Sequence, residues 1–167
     1  MYYLRKITRG KWPEEKLIPQ ATLKDIQADT VHAEFKTDQN KLSVWQIQSD
    51  DDLTDAFIAL GSNCAHLGKI EAVQIDEKDI NQFQFNLEKE NGDTPTNGIN
   101  DKHYNITNLN FESLGRVIQS IIFALNNGRY VKKSRSDMKR LLIAAHQEAK
   151  IDWDRLEPTL RAELEKI

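Results

Sequence analysis

The chain has 167 residues, of which 39% are hydrophobic and 29% charged, and its formal net charge at pH 7 is −3. This length accommodates one domain with a sizeable core, or two small lobes that share one. The single cysteine, Cys64, excludes an intramolecular disulfide, so we expect a fold held by apolar packing in a reducing compartment.

The beginning of the chain is charged. Residues 1 to 16 lack the apolar run of a secretory signal, and no later segment supplies the ~20 apolar residues that a membrane span requires. We therefore expect a cytoplasmic protein that makes no contact with a membrane.

Alternation of apolar and polar residues predicts strands in the first ninety residues. The predicted strands cover residues 2–7, 31–35, 42–47, 70–75 and 83–87. A polar turn joins the second strand to the third, which favours a hairpin. An amphipathic helix should begin after the acidic run Asp50-Asp51-Asp52 and end near Gly61. Residues 1–90 are thus predicted to form a lobe with a mixed or antiparallel sheet of about five strands and one or two helices.

Residues 91–103 are predicted to form a mobile polar loop. They include Pro95 and two Asn-Gly pairs, which are typical of turns. A loop of this length is either mobile or functional, and this one marks the boundary with the last third of the chain.

Residues 104–167 are predicted to form a helical lobe of about three helices, packed with the sheet lobe as one compact unit. The first helix carries a broad apolar face between Phe111 and Leu125. Ser136 is the predicted N-cap of the second helix. The third has apolar residues at helical spacing, from Trp153 to Ile167. The predicted fold class is therefore α+β.

The charges of the chain are strongly segregated. Residues 19 to 112 carry 7 Lys/Arg against 17 Asp/Glu, and residues 113 to 150 carry 8 against 2. The basic residues are densest between Arg129 and Arg140, where six cations share twelve residues. Clustered like charge repels itself unless it meets an anionic partner or an acidic surface of the same molecule.

The basic segment, residues 129–150, is therefore the candidate site. It could bind an acidic protein, follow a phosphate backbone, or dock onto the acidic lobe of its own chain. If Ser136 caps a helix, the polar side of that helix lies opposite an apolar stripe. The candidate partner- or phosphate-binding residues are Arg129, Lys132, Lys133, Arg135, Lys139, Arg140, His146 and Lys150.

No catalytic, cofactor or metal motif emerges from the rest of the sequence. Glu34-Phe35-Lys36, on a predicted strand, has the E-x-K pattern of metal-dependent nucleases but lacks an acid on a preceding strand. The acids at residues 50–52 and 55 do not match a calcium loop, and acids are favoured in the first turn of a helix in any case. We expect no cofactor and no metal.

These observations predict a non-enzymatic macromolecular interaction protein, such as an accessory subunit, a regulator or an inhibitor in a larger assembly. Toxin neutralisation or a bacterial defence complex would suit a small charged protein of this kind. The alternative is a nucleic-acid-binding module that uses residues 129–150, and a more remote alternative is a metal-dependent nuclease.

Overall fold

Six antiparallel strands form one sheet, with the spatial order β4-β5-β2-β1-β3-β6. The computed structural model describes residues 1 to 166; Ile167, the last apolar residue of the predicted final helix, lies outside them. The strands are β1 (Tyr2–Ile7), β2 (Leu42–Ile47), β3 (Ile70–Asp76), β4 (Asn86–Lys89), β5 (His103–Thr107) and β6 (Tyr130–Lys133).

Both faces of the sheet are covered, because the central strands bury successive residues on alternate sides. In β3, Ile70 and Ala72 belong to one core cluster, whereas Val73 and Ile75 belong to the other. The sheet therefore lies between two hydrophobic cores rather than presenting one open face to water.

Six α-helices accompany the sheet within residues 1–166. The second, fifth and sixth helices contribute to the core cluster that contains Ile70 and Ala72. The fourth helix packs against β3 in the cluster that contains Val73 and Ile75, beside the N-terminal segment. The helices are α1 (Ala28–Glu34), α2 (Asp50–Ser62), α3 (Glu77–Gln82), α4 (Phe111–Asn126), α5 (Arg135–Gln147) and α6 (Pro158–Glu165).

The α+β class and the antiparallel sheet are confirmed, and three local expectations are corrected. Residues 31–35 lie in and just after α1, so the predicted hairpin with residues 42–47 is wrong. The strand predicted at residues 83–87 begins only at Asn86. Two of the six strands, β5 and β6, come from the part of the chain predicted as helical, because short strands of four or five residues give too little alternation to be recognised.

Residues 91–103, predicted as a mobile loop, contain no regular element longer than a single turn before β5. Thr94, Thr96 and Ile99 are nevertheless buried. Thr96 forms a β-bridge with Ile151, and the Asn97 backbone N–H donates to the Lys150 carbonyl at 2.9 Å. These contacts tie the segment to the chain beyond α5, and the mobility of the loop stays a prediction.

Candidate interaction surface

The basic segment extends over β6, α5 and the turn that follows α5. β6 is an edge strand of the sheet, and α5 begins two residues after it ends. One side of α5 is buried, because Met138, Leu142 and Ala145 are in the core. The basic segment is therefore part of the folded protein.

Arg129, the first candidate residue, is directed inward. Its guanidinium donates to Asp79 Oδ2 at 2.6 Å and lies 3.8 Å from Asp76 Oδ2. It also lies 5.7 Å from the centroid of the Phe123 ring. Because the Asp79 side chain is only 5% exposed, this pair joins the turn before β6 to the start of α3 inside the protein. Arg129 is thus a structural cation, with a side chain that is 23% exposed and already paired with carboxylates of its own chain.

Three further candidates have carboxylate partners at the surface. Arg135 Nη2 lies 3.2 Å from Glu163 Oε2 on α6, and Arg140 pairs with Asp137 on its own helix. Lys150 Nζ lies 3.6 Å from Asp55 Oδ1 on α2. The Arg140 and Asp137 side chains are 79% and 38% exposed, so a partner could displace this pair. The Glu163 and Asp55 carboxylates are only 21% and 15% exposed.

The remaining cations have no carboxylate within ion-pair distance among residues 1–166. Lys132 is exposed on β6, and Lys133 Nζ lies 5.8 Å from the centroid of the Phe57 ring. Lys139 Nζ donates to the backbone carbonyl of Lys166. His146 packs against Trp153 with 4.1 Å between the ring centroids. We give the name cationic edge to five residues of the basic segment: the exposed Lys132, Arg135 and Arg140 and the half-buried Lys133 and Lys139.

An open cavity of 780 Å³ adjoins the cationic edge. Arg135 and Lys139 of α5 and Lys166 after α6 supply its positive charge, Glu163 its negative charge, and Leu67 an apolar contact. The Glu163 carboxylate also accepts from the Leu67 backbone N–H at 3.1 Å. Hydrogen bonding to His66 is the main cause of the lowered pKa of Glu163. The cavity is thus lined by cations around one fixed carboxylate.

The N-cap of α5 is Ser134, not the predicted Ser136. Ser134 Oγ accepts from the Asp137 backbone N–H at 3.1 Å, and the Asp137 carboxylate accepts in return from the Ser134 backbone N–H at 3.2 Å. Hydrogen bonds from Ser134 and Arg140 lower the pKa of Asp137 to about 2. The Ser-x-x-Asp pattern was visible in the sequence, whereas Ser136 is followed three residues later by Lys139, which cannot complete a capping box.

A second exposed surface escaped the sequence reading. Phe111, the first residue of α4, is 97% exposed, and Phe123 on the same helix is 38% exposed. Phe123 and Leu23 line an apolar cavity of 310 Å³. Exposed apolar surface is typical of protein contacts. Helical spacing predicts Phe111 on the apolar face of this helix, whereas Phe123 lies outside the predicted face.

The E-x-K nuclease interpretation depended on a strand that does not form. Glu34 is the last residue of α1, and its carboxylate accepts from the Thr8 backbone N–H at 2.9 Å. Among residues 1–166, no group of three or more His, Cys, Asp or Glu side chains is arranged to hold a metal ion. Asp52 and Asp55 instead contact Lys102 Nζ at 2.7 and 2.9 Å.

Comparison of the chain with protein-family models, with curated proteins and with solved structures found no match. None of the helices within residues 1–166 has the length and apolar character needed to cross a membrane.

Proposed function

We propose that the chain is a non-enzymatic interaction protein, an accessory subunit, regulator or inhibitor, which binds an acidic extended segment of a protein partner along the cationic edge. The proposal rests on one observation: an edge strand of the sheet carries lysines that have no carboxylate partner within residues 1–166. Lys132 and Lys133 lie on β6, and no further strand pairs with the outer side of β6 within the described chain.

An edge strand offers backbone N–H and C=O groups to another extended chain. Short edge strands that carry lysine resist pairing with uncharged or basic strands, which protects the protein from aggregation. The same lysines attract a strand that carries Asp or Glu. Charge would therefore select the partner, and backbone hydrogen bonds would hold it.

The distribution of charge favours an acidic protein over nucleic acid. Four of the eight candidate residues already contact carboxylates of the same chain: Arg129, Arg135, Arg140 and Lys150. A phosphate backbone laid along α5 would meet Asp137 and Glu163 among the cations, and it could not use the backbone groups of β6.

The test is recovery of partners from the native cell with a tagged full-length protein. The variant Lys132→Glu/Lys133→Glu/Lys139→Glu reverses three charges without removing the partner of any carboxylate observed within residues 1–166. We expect a stoichiometric protein partner with the wild type, and its loss with this variant.

The matched control is Lys24→Glu/Lys78→Glu/Lys89→Glu, which makes the same change in net charge at exposed lysines elsewhere. It should keep the partner. Equal recovery by both variants, or recovery of nucleic acid whose removal by nuclease leaves no protein partner, would contradict the proposal.

A further inference from the structure

A polar groove opens on the sheet away from the cationic edge. Its volume is 570 Å³, within the ~300–1,000 Å³ typical of small-molecule sites. We call it the sheet groove; the residues that matter to its chemistry are Lys6, Lys36, Ser43, Trp45, His103 and Asn105.

The register of the sheet places the polar floor of this groove. Ser43 on β2 is opposite Asn105 on β5, and Asn105 is opposite Glu88 on β4. The neighbouring pair on the same side is Trp45 and His103, whose rings lie 5.1 Å apart. These polar side chains thus lie on the same face of the sheet as Trp45, which is buried in the core beside α2.

Two carboxylates of the groove already have cationic partners. Glu90 Oε2 lies 2.8 Å from Lys41 Nζ and accepts from Asn105 Nδ2 at 2.7 Å. Asp93 Oδ1 lies 2.6 Å from Arg155 Nη2. The hydrogen bond from Lys41 is the largest cause of the lowered pKa of Glu90. Asp38 is the remaining acid of the groove and is exposed.

Two other cations that line the groove have no carboxylate partner among residues 1–166, although Lys6 Nζ lies 3.7 Å from Cys64 Sγ. Lys6 and Lys36 are exposed, and neither lies within 4.0 Å of a carboxylate among residues 1–166. Arg5 donates to the backbone carbonyls of Ser43 at 3.0 Å and Glu34 at 2.7 Å. Burial lowers the pKa of Arg5 to about 10, so its guanidinium stays charged at neutral pH; the Glu34 carboxylate opposes that shift.

His103 also lines the groove. Its Nδ1 lies 2.7 Å from the Glu90 carbonyl oxygen, and because a carbonyl only accepts, Nδ1 carries the proton. In the neutral imidazole Nε2 is then an acceptor, suited to a hydroxyl or amine of a ligand.

We propose that the sheet groove binds a small phosphate-bearing molecule, with its phosphate at Lys6 and Lys36 and its polar remainder along His103, Ser43 and Asn105. Two exposed cations that line one groove suit a dianionic phosphate, and lysine is a common point-charge ligand for it. This inference is independent of the proposed protein partner, because it uses a different surface.

The experiment is titration of the full-length protein with inorganic phosphate, AMP and adenosine, followed by amide chemical shifts and calorimetry. We expect saturable binding of phosphate, with shifts near residues 6, 36, 43 and 105, and tighter binding of AMP. The variant Lys6→Gln/Lys36→Gln should weaken phosphate binding by about tenfold or more, since it removes both charged donors from the phosphate position.

The variant Lys24→Gln/Lys78→Gln removes two exposed lysines outside the groove and should bind like the wild type. Unchanged amide spectra of the free variants establish that each is folded. Absence of saturable phosphate binding, equal binding by the groove variant and the wild type, or adenosine binding as tight as that of AMP would each overturn the proposal.

Discussion

Arg129 and Lys132 lie three residues apart in the same basic segment and have opposite surroundings. Arg129 contacts two carboxylates and one of them, on Asp79, is almost completely buried. Lys132 is exposed on an edge strand and has no carboxylate partner among residues 1–166. Arg129 therefore joins two elements of the fold, whereas Lys132 is exposed to solvent.

This difference shows that density of charge along a sequence is not density of charge on a surface. A buried pair is costly to break, because the remaining charge has lost both water and its partner. Replacing an exposed cation changes the free energy of unfolding only slightly. The basic segment combines both kinds, so its net charge overstates what a partner would meet.

The largest expected effect is that of Arg129→Met. It leaves the Asp79 carboxylate without its cation, and we expect a loss of about 3 kcal/mol in the free energy of unfolding. Denaturant unfolding of the variant, of Asp79→Asn and of the double variant measures the coupling. Coupling below about 0.5 kcal/mol would mean that Arg129 is equivalent to a surface residue, and the comparison with Lys132 would fail.

An intermediate effect is expected where the segment enters α5. Ser134→Ala removes the N-cap and should cost about 1 kcal/mol at neutral pH. Since the folded-state pKa of Asp137 is lowered to about 2, its contribution is complete above its ordinary pKa near 3.8 and is lost as the pH falls towards 2.

The stability difference between wild type and Ser134→Ala should therefore shrink between about pH 4 and pH 2. Unfolding measured at both ends of this range tests the sign, with Thr159→Ala as the control, because Thr159 is an exposed hydroxyl residue of α6 that makes no capping hydrogen bond. A difference that grows on acidification would exclude this account of the cap.

The smallest effect is expected for Lys132→Gln. Its free energy of unfolding should stay within about 0.5 kcal/mol of the wild-type value, because an exposed side chain without a partner contributes little to the folded state. Denaturant unfolding beside Arg129→Met gives the contrast directly. A loss of unfolding free energy comparable to that of Arg129→Met would show that Lys132 makes stabilising contacts in the folded protein.

The strand predicted at residues 31–35 is wrong because a pattern of five residues fits more than one element. At residues 31–35, Val31 and Phe35 fit both an alternating strand and one side of a helix, and contacts elsewhere decide between them. The Thr30 hydroxyl donates to the Lys11 carbonyl, and the Glu34 carboxylate accepts from Thr8. A pattern of five residues cannot anticipate partners that lie 19 or 26 positions away.

The sequence alone determined the elements that have long periodic patterns: β1, β2 and β3 by alternation, and α2 and α4 by helical spacing. These patterns are local, because they follow from the geometry of a single strand or helix. It also located the segregated charge.

Tertiary structure alone decided the order of the strands, the position of β6 at the edge, and which basic residues face the interior. Those outcomes depend on contacts such as that between Arg129 and Asp79, separated by 50 residues, and no local period encodes such a distance.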